Sequence, residues 1–364
     1  MEIAKRHFFR AFLDAINPYA WAMICRNRAF ETGVLKSYRF GTPTICIGNI
    51  SVGGTGKTPH TEYIIELLRE HYRTAVLSRG YGRKSKGYIK ADTGVTMQLI
   101  GDEPFQIKNK FKDLTVAVSE KRVEGIERLM AEEPELQVIL LDDAYQHRYV
   151  DAGLKILLID SNRPVWNDNV MPFGRLREST GGIKRADIVI ITKCPGDINA
   201  WEKSQWAEAL GIRMYEASTC SGKRSDGRKQ YLFFTKIQYD TPLAVFDGGD
   251  PRYVYSKRLV LFSGIANDAP MKAFLSSDYK IVRHLKFADH HKFSWADIRS
   301  IEDAVKDYPT AVAMTTEKDC QRLRDCKNIS DNLKMRLFYT PIKSEFLCWE
   351  DKEQFTAVLT SFLK

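Results

Sequence analysis

The fold of this chain is decided by the stretch TICIGNISVGGTGKTP, residues 44–59. Its apolar beginning predicts a β-strand, and the glycine-rich run after it predicts a loop that leads into a helix. Glycines let backbone N–H groups point at an anion, the lysine reaches the terminal phosphates of a nucleotide, and the threonine hydroxyl can ligate magnesium. The dipole of the following helix adds positive potential there. The residues predicted to hold a nucleoside triphosphate are Ser51, Val52, Gly53, Gly54, Thr55, Gly56, Lys57 and Thr58.

The loop is a variant of the usual phosphate-binding pattern. The first glycine of that pattern stands five residues before the second, and this position is Ser51 here, whereas Gly53 and Gly54 follow it. The alternative interpretation is an ordinary glycine-rich turn. The ending Gly-Lys-Thr between a strand and a helix favours the nucleotide site.

Composition is typical of a globular protein, and the length predicts two domains. The 364 residues are 44% hydrophobic and 28% charged. The net charge of +9 suits a phosphorylated substrate, an anionic membrane surface or nucleic acid. The seven cysteines contain no CxxC pair, which predicts reduced thiols and no zinc site. No stretch reaches the roughly 18 apolar residues of a membrane span, and Lys5, Arg6 and Arg10 interrupt any secretory signal.

Strand and helix signals alternate from residue 44 onward. The predicted strands are 44–49, 74–78, 115–118, 137–142, 155–160 and 187–192. The predicted helices are 57–71, 102–111, 120–132 and 199–210. This alternation predicts an α/β fold, a P-loop NTPase-like parallel sheet with helices on both faces.

A change of pattern divides the chain. Residues 221–257 are turn-rich and then strand-like, which predicts a β-ribbon linker, and a second alternation from residue 258 predicts a smaller C-terminal α/β domain. The predicted domains are N-terminal amphipathic helices at 1–40, a P-loop domain at 41–220, the linker at 221–257 and the C-terminal domain at 258–364.

Two helices are predicted before the sheet. Residues 2–16 place Phe8, Phe9 and Phe12 on one face, and Asn17-Pro18 is typical of the start of a second helix, which carries Trp21. Aromatic residues beside arginine and lysine suit a membrane interface. Packing on the protein core is the equal alternative.

A second apolar run, at 138–141, ends in Asp142 and Asp143. Downstream of a phosphate-binding loop, this is the place of an aspartate that holds magnesium. Parallel strands bring their carboxyl ends to the same edge of the sheet, so both carboxylates should lie near the phosphates. The predicted metal ligands are Thr58, Asp142 and Asp143, against the alternative of a strand that ends in a polar turn.

Three further segments leave two interpretations open. GDEP at 101–104 is either ordinary helix capping by Asp102 or a carboxylate that accepts a substrate proton. SRGYGR at 78–83, with Arg79, and GRLRE at 174–178 either recognise phosphate or sugar or are solvated basic turns. In ADHH at 288–291, Asp289 could orient a histidine, although such histidines are more often structural.

A fourth segment, TKCPGD at 192–197, is a near miss of a guanine-binding loop. Such loops use Asn/Thr-Lys-x-Asp, and the aspartate position is Pro195 here. This departure argues weakly against GTP.

Taken in order, these motifs resemble the tetraacyldisaccharide 4'-kinase family, the lipid A 4'-kinases of Gram-negative bacteria. The resemblance covers the chain to about residue 325 and is carried by GGTGKTP (53–59), SRGYG (78–82), GDEP (101–104), AVS with Arg122, Asp142-Asp143 with Gln146-His147, Arg177-Glu178, Asp289-His290 and TEKD (316–319). Ala144-Tyr145 departs from the family pattern, and His291 beside His290 leaves two candidate imidazoles, of which the pattern favours His290.

The resemblance implies the reaction and the roles of residues in it. ATP, with Mg²⁺, would donate a phosphoryl group to the 4'-hydroxyl of a tetraacylated glucosamine disaccharide 1-phosphate. Asp102 would be the base, His290 would complete a dyad with it, and Lys57 would hold the phosphates. Supporting contacts to substrate, phosphate or metal would come from Arg79, Arg122, Gln146, His147, Arg177, Glu178 and Asp289.

The resemblance also implies a place in the cell. The family is peripheral to the cytoplasmic face of the inner membrane, which favours a membrane contact by the N-terminal helices and implies neither nucleic acid nor an obligate protein partner. Two rival classes remain, a P-loop switch that hydrolyses nucleotide without lipid and a nucleic-acid-binding NTPase suggested only by the charge.

Overall fold

The structure is a computed structural model that describes residue 13, residues 15–326 and residues 328–364. Most of the predicted first helix, including Phe8, Phe9 and Phe12, lies outside these residues. The chain forms two compact units, residues 1–237 with 344–364 (unit 1) and residues 238–343 (unit 2).

The strands within the described residues are numbered in chain order. They are β1 (Thr44–Asn49), β2 (Thr74–Ser78), β3 (Ile89–Lys90), β4 (Thr115–Val118), β5 (Val138–Asp142), β6 (Leu154–Asp160), β7 (Ile188–Thr192), β8 (Arg213–Glu216), β9 (Ser221–Lys223), β10 (Lys229–Tyr239), β11 (Leu243–Ala244), β12 (Arg258–Ser263), β13 (Lys280–Lys286), β14 (Val312–Thr316), β15 (Leu337–Thr340) and β16 (Ile342–Phe346).

The α-helices between them are numbered likewise. They are α1 (Pro18–Glu31), α2 (Lys57–Arg69), α3 (Met97–Ile100), α4 (Asp102–Lys110), α5 (Arg122–Glu132), α6 (Ala200–Ala209), α7 (Arg252–Tyr255), α8 (Ala269–Asp278), α9 (Trp295–Asp307), α10 (Glu317–Arg324), α11 (Asp331–Arg336) and α12 (Trp349–Leu363).

Unit 1 is built on a large sheet with the order β3-β4-β2-β5-β1-β6-β7-β10-β9-β8, and β16 pairs with β10. The strands around β1 are parallel and almost entirely buried, because their side chains alternate between two cores. Ile45 and Ile47 face one core, and Cys46 faces the other. The predicted α/β class, a parallel sheet with helices on both faces, is confirmed.

Unit 2 has a smaller sheet with the order β11-β15-β14-β12-β13, in which β12 to β15 are parallel. Its apolar core includes Phe262 and Ile301. Unit 2 begins inside the segment predicted as a linker, and α12 returns to unit 1, where Phe355 and Leu359 are fully buried beside Phe233.

Helix α1 begins as its sequence predicts. Pro18 is its first residue, and the Asn17 side chain accepts hydrogen bonds from the N–H groups of Tyr19 (3.0 Å) and Ala20 (3.2 Å). No helix among the described residues is long and apolar enough to cross a membrane.

Candidate active site

The glycine-rich loop connects β1 to α2 at the carboxyl edge of the unit 1 sheet. Gly56 caps α2 with φ +82°, and Gly53 has φ +108°, conformations that side chains disfavour. The first N–H groups of α2 therefore open onto this edge, where an anion would be stabilised by the helix dipole.

Side chains at the ends of β1 and β7 hold the loop in place through hydrogen bonds. Asn49 donates from Nδ2 to Thr55 Oγ1 (2.7 Å), and Thr192 donates from Oγ1 to the Thr55 carbonyl (2.9 Å). Lys193 donates to the Gly54 carbonyl and pairs with Asp160 (2.7 Å). The segment TKCPGD was compared with guanine-binding loops on the basis of its sequence. In the structure, its residues Thr192 and Lys193 instead support the glycine-rich loop, a role that the spacing of the motif did not predict.

A buried histidine, His60, lies under the loop. Its Nδ1 is 2.7 Å from the Gly56 carbonyl and 3.0 Å from Ser344 Oγ, and its Nε2 is 2.9 Å from Thr235 Oγ1. Burial lowers the pKa of His60 to about 4, so the ring is neutral at physiological pH. Nothing in its sequence context predicted this contact, because Thr235 and Ser344 are distant along the chain.

The segment 175–177 pairs with the beginning of the loop. Val52 N–H donates to the Arg175 carbonyl (2.7 Å), and Arg177 N–H donates to the Ile50 carbonyl (2.7 Å). The Val52 amide is therefore committed to this pairing, and so is the Thr55 amide, which donates to the Gly53 carbonyl (3.0 Å). Val52, predicted as a phosphate ligand, shapes the loop in this structure.

The predicted acidic pair ends β5 beside the loop. Asp142 is buried, and its carboxylate accepts hydrogen bonds from Thr61 (3.0 Å) and Ser78 (3.3 Å). Burial, and then the nearby Glu103 and Asp143 charges, raise the pKa of Asp142 to about 7. Since burial and the neighbouring negative charges disfavour the ionised carboxylate, a cation bound next to Asp142 would stabilise it.

Asp143 lies between two cations. It has a left-handed backbone with φ +45°, which aims its side chain at Lys57 Nζ (3.8 Å) and Arg177 Nη1 (3.1 Å). The structure thus brings the predicted Lys57, Asp143 and Arg177 together.

Three predicted supporting residues form a cluster next to Asp143. Gln146 donates from Nε2 to the Asn49 carbonyl (2.7 Å) and to Glu178 (3.0 Å), while Arg177 Nη1 is 3.4 Å from Gln146 Oε1. Glu178 is buried and pairs with Arg185 (2.8 Å). This cluster ties the acidic edge to the end of β1.

Arg122 is buried near the end of β5, and His147 is half-buried. The Arg122 residue is only 2% exposed, and its guanidinium donates to the carbonyls of Ser119 and Asp142. Burial, followed by the charges of Arg122, Arg26 and Arg79, lowers the pKa of His147 to about 4. Arg122 therefore supports the backbone that carries Asp142.

Asp102 is the first residue of α4, and the cap position before it belongs to Gly101. Gly101 has φ +91°, and a Cβ there would lie 2.7 Å from the Tyr81 carbonyl. The SRGYG and GDEP loops are thus in close backbone contact, with Asp102 half-buried and Arg79 exposed. Asp102 is not the N-cap of α4, which removes that part of the capping interpretation.

The donor set at this edge is of the kind that Mg²⁺ prefers. Thr58, Asp142 and Asp143 offer oxygens, and Asn49 Oδ1 is buried without a hydrogen-bond partner. Among the described residues, no three His, Cys, Asp or Glu side chains form a metal cluster.

The predicted residues of unit 2 gather at the carboxyl edge of its own sheet. His290 Nδ1 lies 3.2 Å from Arg322, and Asp289 accepts a hydrogen bond from the His290 backbone N–H (3.0 Å). His291 is engaged elsewhere, because its Nε2 lies 2.9 Å from Asp297 and its ring stacks on Phe287.

Comparison with known proteins gives one consistent result. The model of the tetraacyldisaccharide-1-P 4'-kinase family matches residues 12–364. The tetraacyldisaccharide 4'-kinase of Bacteroides thetaiotaomicron is 41% identical over 348 residues, 91% of this chain and 88% of that protein. That of Flavobacterium johnsoniae is 41% identical over 343 residues, 93% and 92% of the two chains. The crystal structure of LpxK from Aquifex aeolicus in complex with ATP has the same fold. The alignment covers 100% of each chain, with a TM-score of 0.69 and 24% sequence identity.

Proposed function

The chain belongs to the tetraacyldisaccharide-1-P 4'-kinase family, and we propose that it transfers the γ-phosphoryl group of ATP to the 4'-hydroxyl of a tetraacylated glucosamine disaccharide 1-phosphate. The observation that carries this proposal is the carboxyl edge of the unit 1 sheet, where a glycine loop, a lysine and two carboxylates meet. Phosphoryl transfer depends mostly on positioning and charge stabilisation, which is what these groups provide.

The triphosphate is proposed to lie against the loop between Gly53 and Thr58. Lys57 now lies near Asp143, and it would exchange this carboxylate for the β- and γ-phosphates. Ser51 and Val52 support the loop through their pairing with the segment 175–177.

Thr58, Asp142 and Asp143 are proposed to hold Mg²⁺. The ion, when bound, neutralises charge that develops on the phosphate oxygens. The raised pKa of Asp142 means that this carboxyl must lose its proton before it can act as a ligand. Gln146, Arg177 and Glu178 would hold this edge in place.

Asp102 is proposed as the base. Its carboxylate would accept the proton of the 4'-hydroxyl while that oxygen bonds to the γ-phosphorus, and the bond from the γ-phosphorus to the bridging oxygen breaks and releases ADP. This proposal is supported by the position of Asp102, which is half-buried at the start of α4. The adjoining SRGYG loop carries the exposed Arg79, and this arginine would contact an anionic group of the substrate.

The remaining candidates are proposed to act through these groups. Arg122 supports Asp142, and His147 stays neutral beside it. His290, with Asp289 at its backbone, is proposed to assist the base.

We further propose that the protein is peripheral to the cytoplasmic face of the inner membrane, because its acceptor is a lipid. In α1, the Trp21 residue is 53% exposed, which suits an interfacial aromatic anchor. Flotation with vesicles that contain anionic lipid tests this point. Trp21→Ala should weaken flotation, whereas Trp201→Ala, which removes a tryptophan 69% exposed on α6, should not.

The function is tested by incubating the protein with labelled ATP and the disaccharide 1-phosphate in detergent. The expected product is a bisphosphorylated lipid, which should form far more slowly when Lys57→Ala replaces the natural chain. Nucleotide hydrolysis that proceeds equally without lipid would contradict the proposal and support a switch NTPase. Salt-sensitive nucleic-acid binding that stimulates hydrolysis would support the other rival.

A further inference from the structure

The carboxyl edge of the unit 2 sheet has the layout of a ligand crevice. Strand β12 connects forward to β13 on one side and is flanked by β14 on the other, so the order reverses beside β12. Open α/β sheets place functional groups outside the carboxyl ends of their strands at such a point. Here Gly264 follows β12, His290 follows β13 and α10 follows β14.

A buried ion pair on α10 reaches His290. Asp319 is fully buried and pairs with Arg322 (2.8 Å), whose side chain is 4% exposed. Arg322 Nη1 also donates to the Gly264 carbonyl (3.2 Å), and its Nη2 lies 3.2 Å from His290 Nδ1. The His290 backbone, at φ +57°, donates to the same Gly264 carbonyl (3.1 Å). Asp319 and the Gly264 carbonyl thus fix the orientation of the Arg322 guanidinium that contacts the imidazole.

The chemistry of these two side chains allows one arrangement of protons. A guanidinium carries donors and no acceptor, so His290 Nδ1 must offer a lone pair to Arg322. The proton of the neutral ring is then on Nε2, because the partner of one ring nitrogen sets the state of the other. The sequence suggested Asp289 as the orienting partner, but Asp289 meets the His290 backbone and Arg322 meets the ring.

We propose that Arg322 is a positioning residue that locks the His290 imidazole in the Nε2–H tautomer. His290 then donates a hydrogen bond from Nε2 to an anionic oxygen and does not itself remove the hydroxyl proton, which leaves that task to a carboxylate. The proposal rests on the proposed function only where it assigns His290 to phosphoryl transfer. His291 is excluded from this role by its contact with Asp297.

Nitrogen-15 NMR of the full chain, labelled in histidine, tests the tautomer directly. The resonances of His290 are assigned by their loss in His290→Gln. The expected spectrum shows an unprotonated Nδ1 and a protonated Nε2, and Arg322→Met should change it toward a mixture of tautomers. Arg324→Met is the matched control, because this neighbouring arginine on α10 donates to the Val245 carbonyl instead.

Kinetics provide the second readout. Arg322→Met should lower kcat by about 10–100-fold, the usual effect of losing an orienting partner, with little change in KM for ATP. Arg322→Lys, which keeps one cationic donor, should recover part of the loss, and Arg324→Met should leave kcat unchanged.

Once His290→Gln has assigned the His290 resonances, the spectrum of the natural chain decides the inference without Arg322→Met. A protonated Nδ1, or equal populations of both tautomers, would overturn it. The correct tautomer in a protein without kinase activity would instead reject the proposed function and keep the inference.

Discussion

The carboxyl edges of the two sheets carry similar residues and treat them differently. In unit 1, burial raises the pKa of Asp142 to about 7, and Asn49 Oδ1 is buried without a partner. In unit 2, the buried Asp319 accepts hydrogen bonds from Arg322, Thr316 and the Gly264 N–H, each at 2.8 Å. The buried carboxylate Asp319 is thus neutralised by Arg322, whereas no hydrogen bond from a cation reaches the buried Asp142 carboxylate among the described contacts.

The difference between the two edges indicates which buried groups can bind a ligand and which hold other residues in position. A buried polar group that lacks partners destabilises the protein until a ligand supplies them. A buried group whose partners are present makes its surroundings rigid. We expect replacement of Asp142 to affect turnover first and replacement of Asp319 to affect stability first.

The largest effect is expected from Asp102→Ala. Loss of a general base should lower kcat by about 10²–10⁴-fold, with little change in the apparent KM for ATP. Steady-state kinetics with saturating lipid measure this. A rise in the KM for ATP at constant kcat would show that Asp102 serves only as a helix-terminal charge, and Glu103→Gln provides the control for that charge.

Lys57→Ala should follow closely. Removing a cation aimed at the transferred phosphates should lower kcat by about 10²–10³-fold. The fold should survive, because the ion pair between Lys57 and Asp143 is long, at 3.8 Å, and its loss should cost little stability. Activity and circular dichroism are compared with those of Lys86→Ala, an exposed lysine. Near-normal turnover in Lys57→Ala would break the assignment of this edge to phosphate.

Two matched substitutions of buried aspartates should change stability in opposite directions. Asp142→Asn should stabilise unit 1 at pH 8 in the absence of nucleotide and metal, while it lowers kcat. Asp319→Asn should destabilise unit 2 by about 3 kcal/mol, because it leaves Arg322 without a counter-charge. Hydrogen exchange, followed separately in peptides of each unit, measures both. Equal destabilisation by the two would remove the distinction between the edges.

The pH dependence of Asp142 has a defined sign. Its pKa is raised from 3.8 to about 7, so between these values the folded state binds more protons than the unfolded state. The free energy of unfolding of the natural chain should therefore fall as pH rises from about 4 to 7 through this group. The advantage of Asp142→Asn should be larger at pH 8 than at pH 5 in urea unfolding. A constant difference would show that the carboxyl titrates normally.

The smallest effect is expected from Gly101→Ala. Left-handed backbone and the approach to the Tyr81 carbonyl should destabilise unit 1 by roughly 1–3 kcal/mol and displace Asp102. Gly82→Ala is the control, because Gly82 also has positive φ but faces open space. Equal losses of stability and kcat in the two variants would show that the close contact with the SRGYG loop is unimportant.

Much of the fold could be predicted from the sequence, since long buried strands leave clear apolar runs. The segments 44–49, 74–78 and 115–118 were predicted with the bounds that the structure gives. The two-residue β3 is too short to show any periodicity, and β16 (IKSEF) lacks the continuous apolar run of the buried strands, so neither was predicted. The return of α12 to unit 1 was not predicted, since an amphipathic helix does not specify which sheet it covers.

The site was predictable where residues follow strands of the same parallel sheet. Asp142, Asp143 and Lys57 fell together for this reason. The braces of the loop were not predicted, because Thr192, Lys193 and His60 act through backbone carbonyls that any sequence supplies. Arg322 was missed because only the structure shows that α10 faces His290.

The return of α12 also has a consequence for biosynthesis. Unit 1 is encoded in two separated pieces, and Phe355 and Leu359, both fully buried, lie in the last one. The ribosome releases residues 238–343 before that piece, so the inserted unit can fold while the domain that was started first still has an open core. Loss of residues 344–364 would then damage the unit whose first residues were translated earliest.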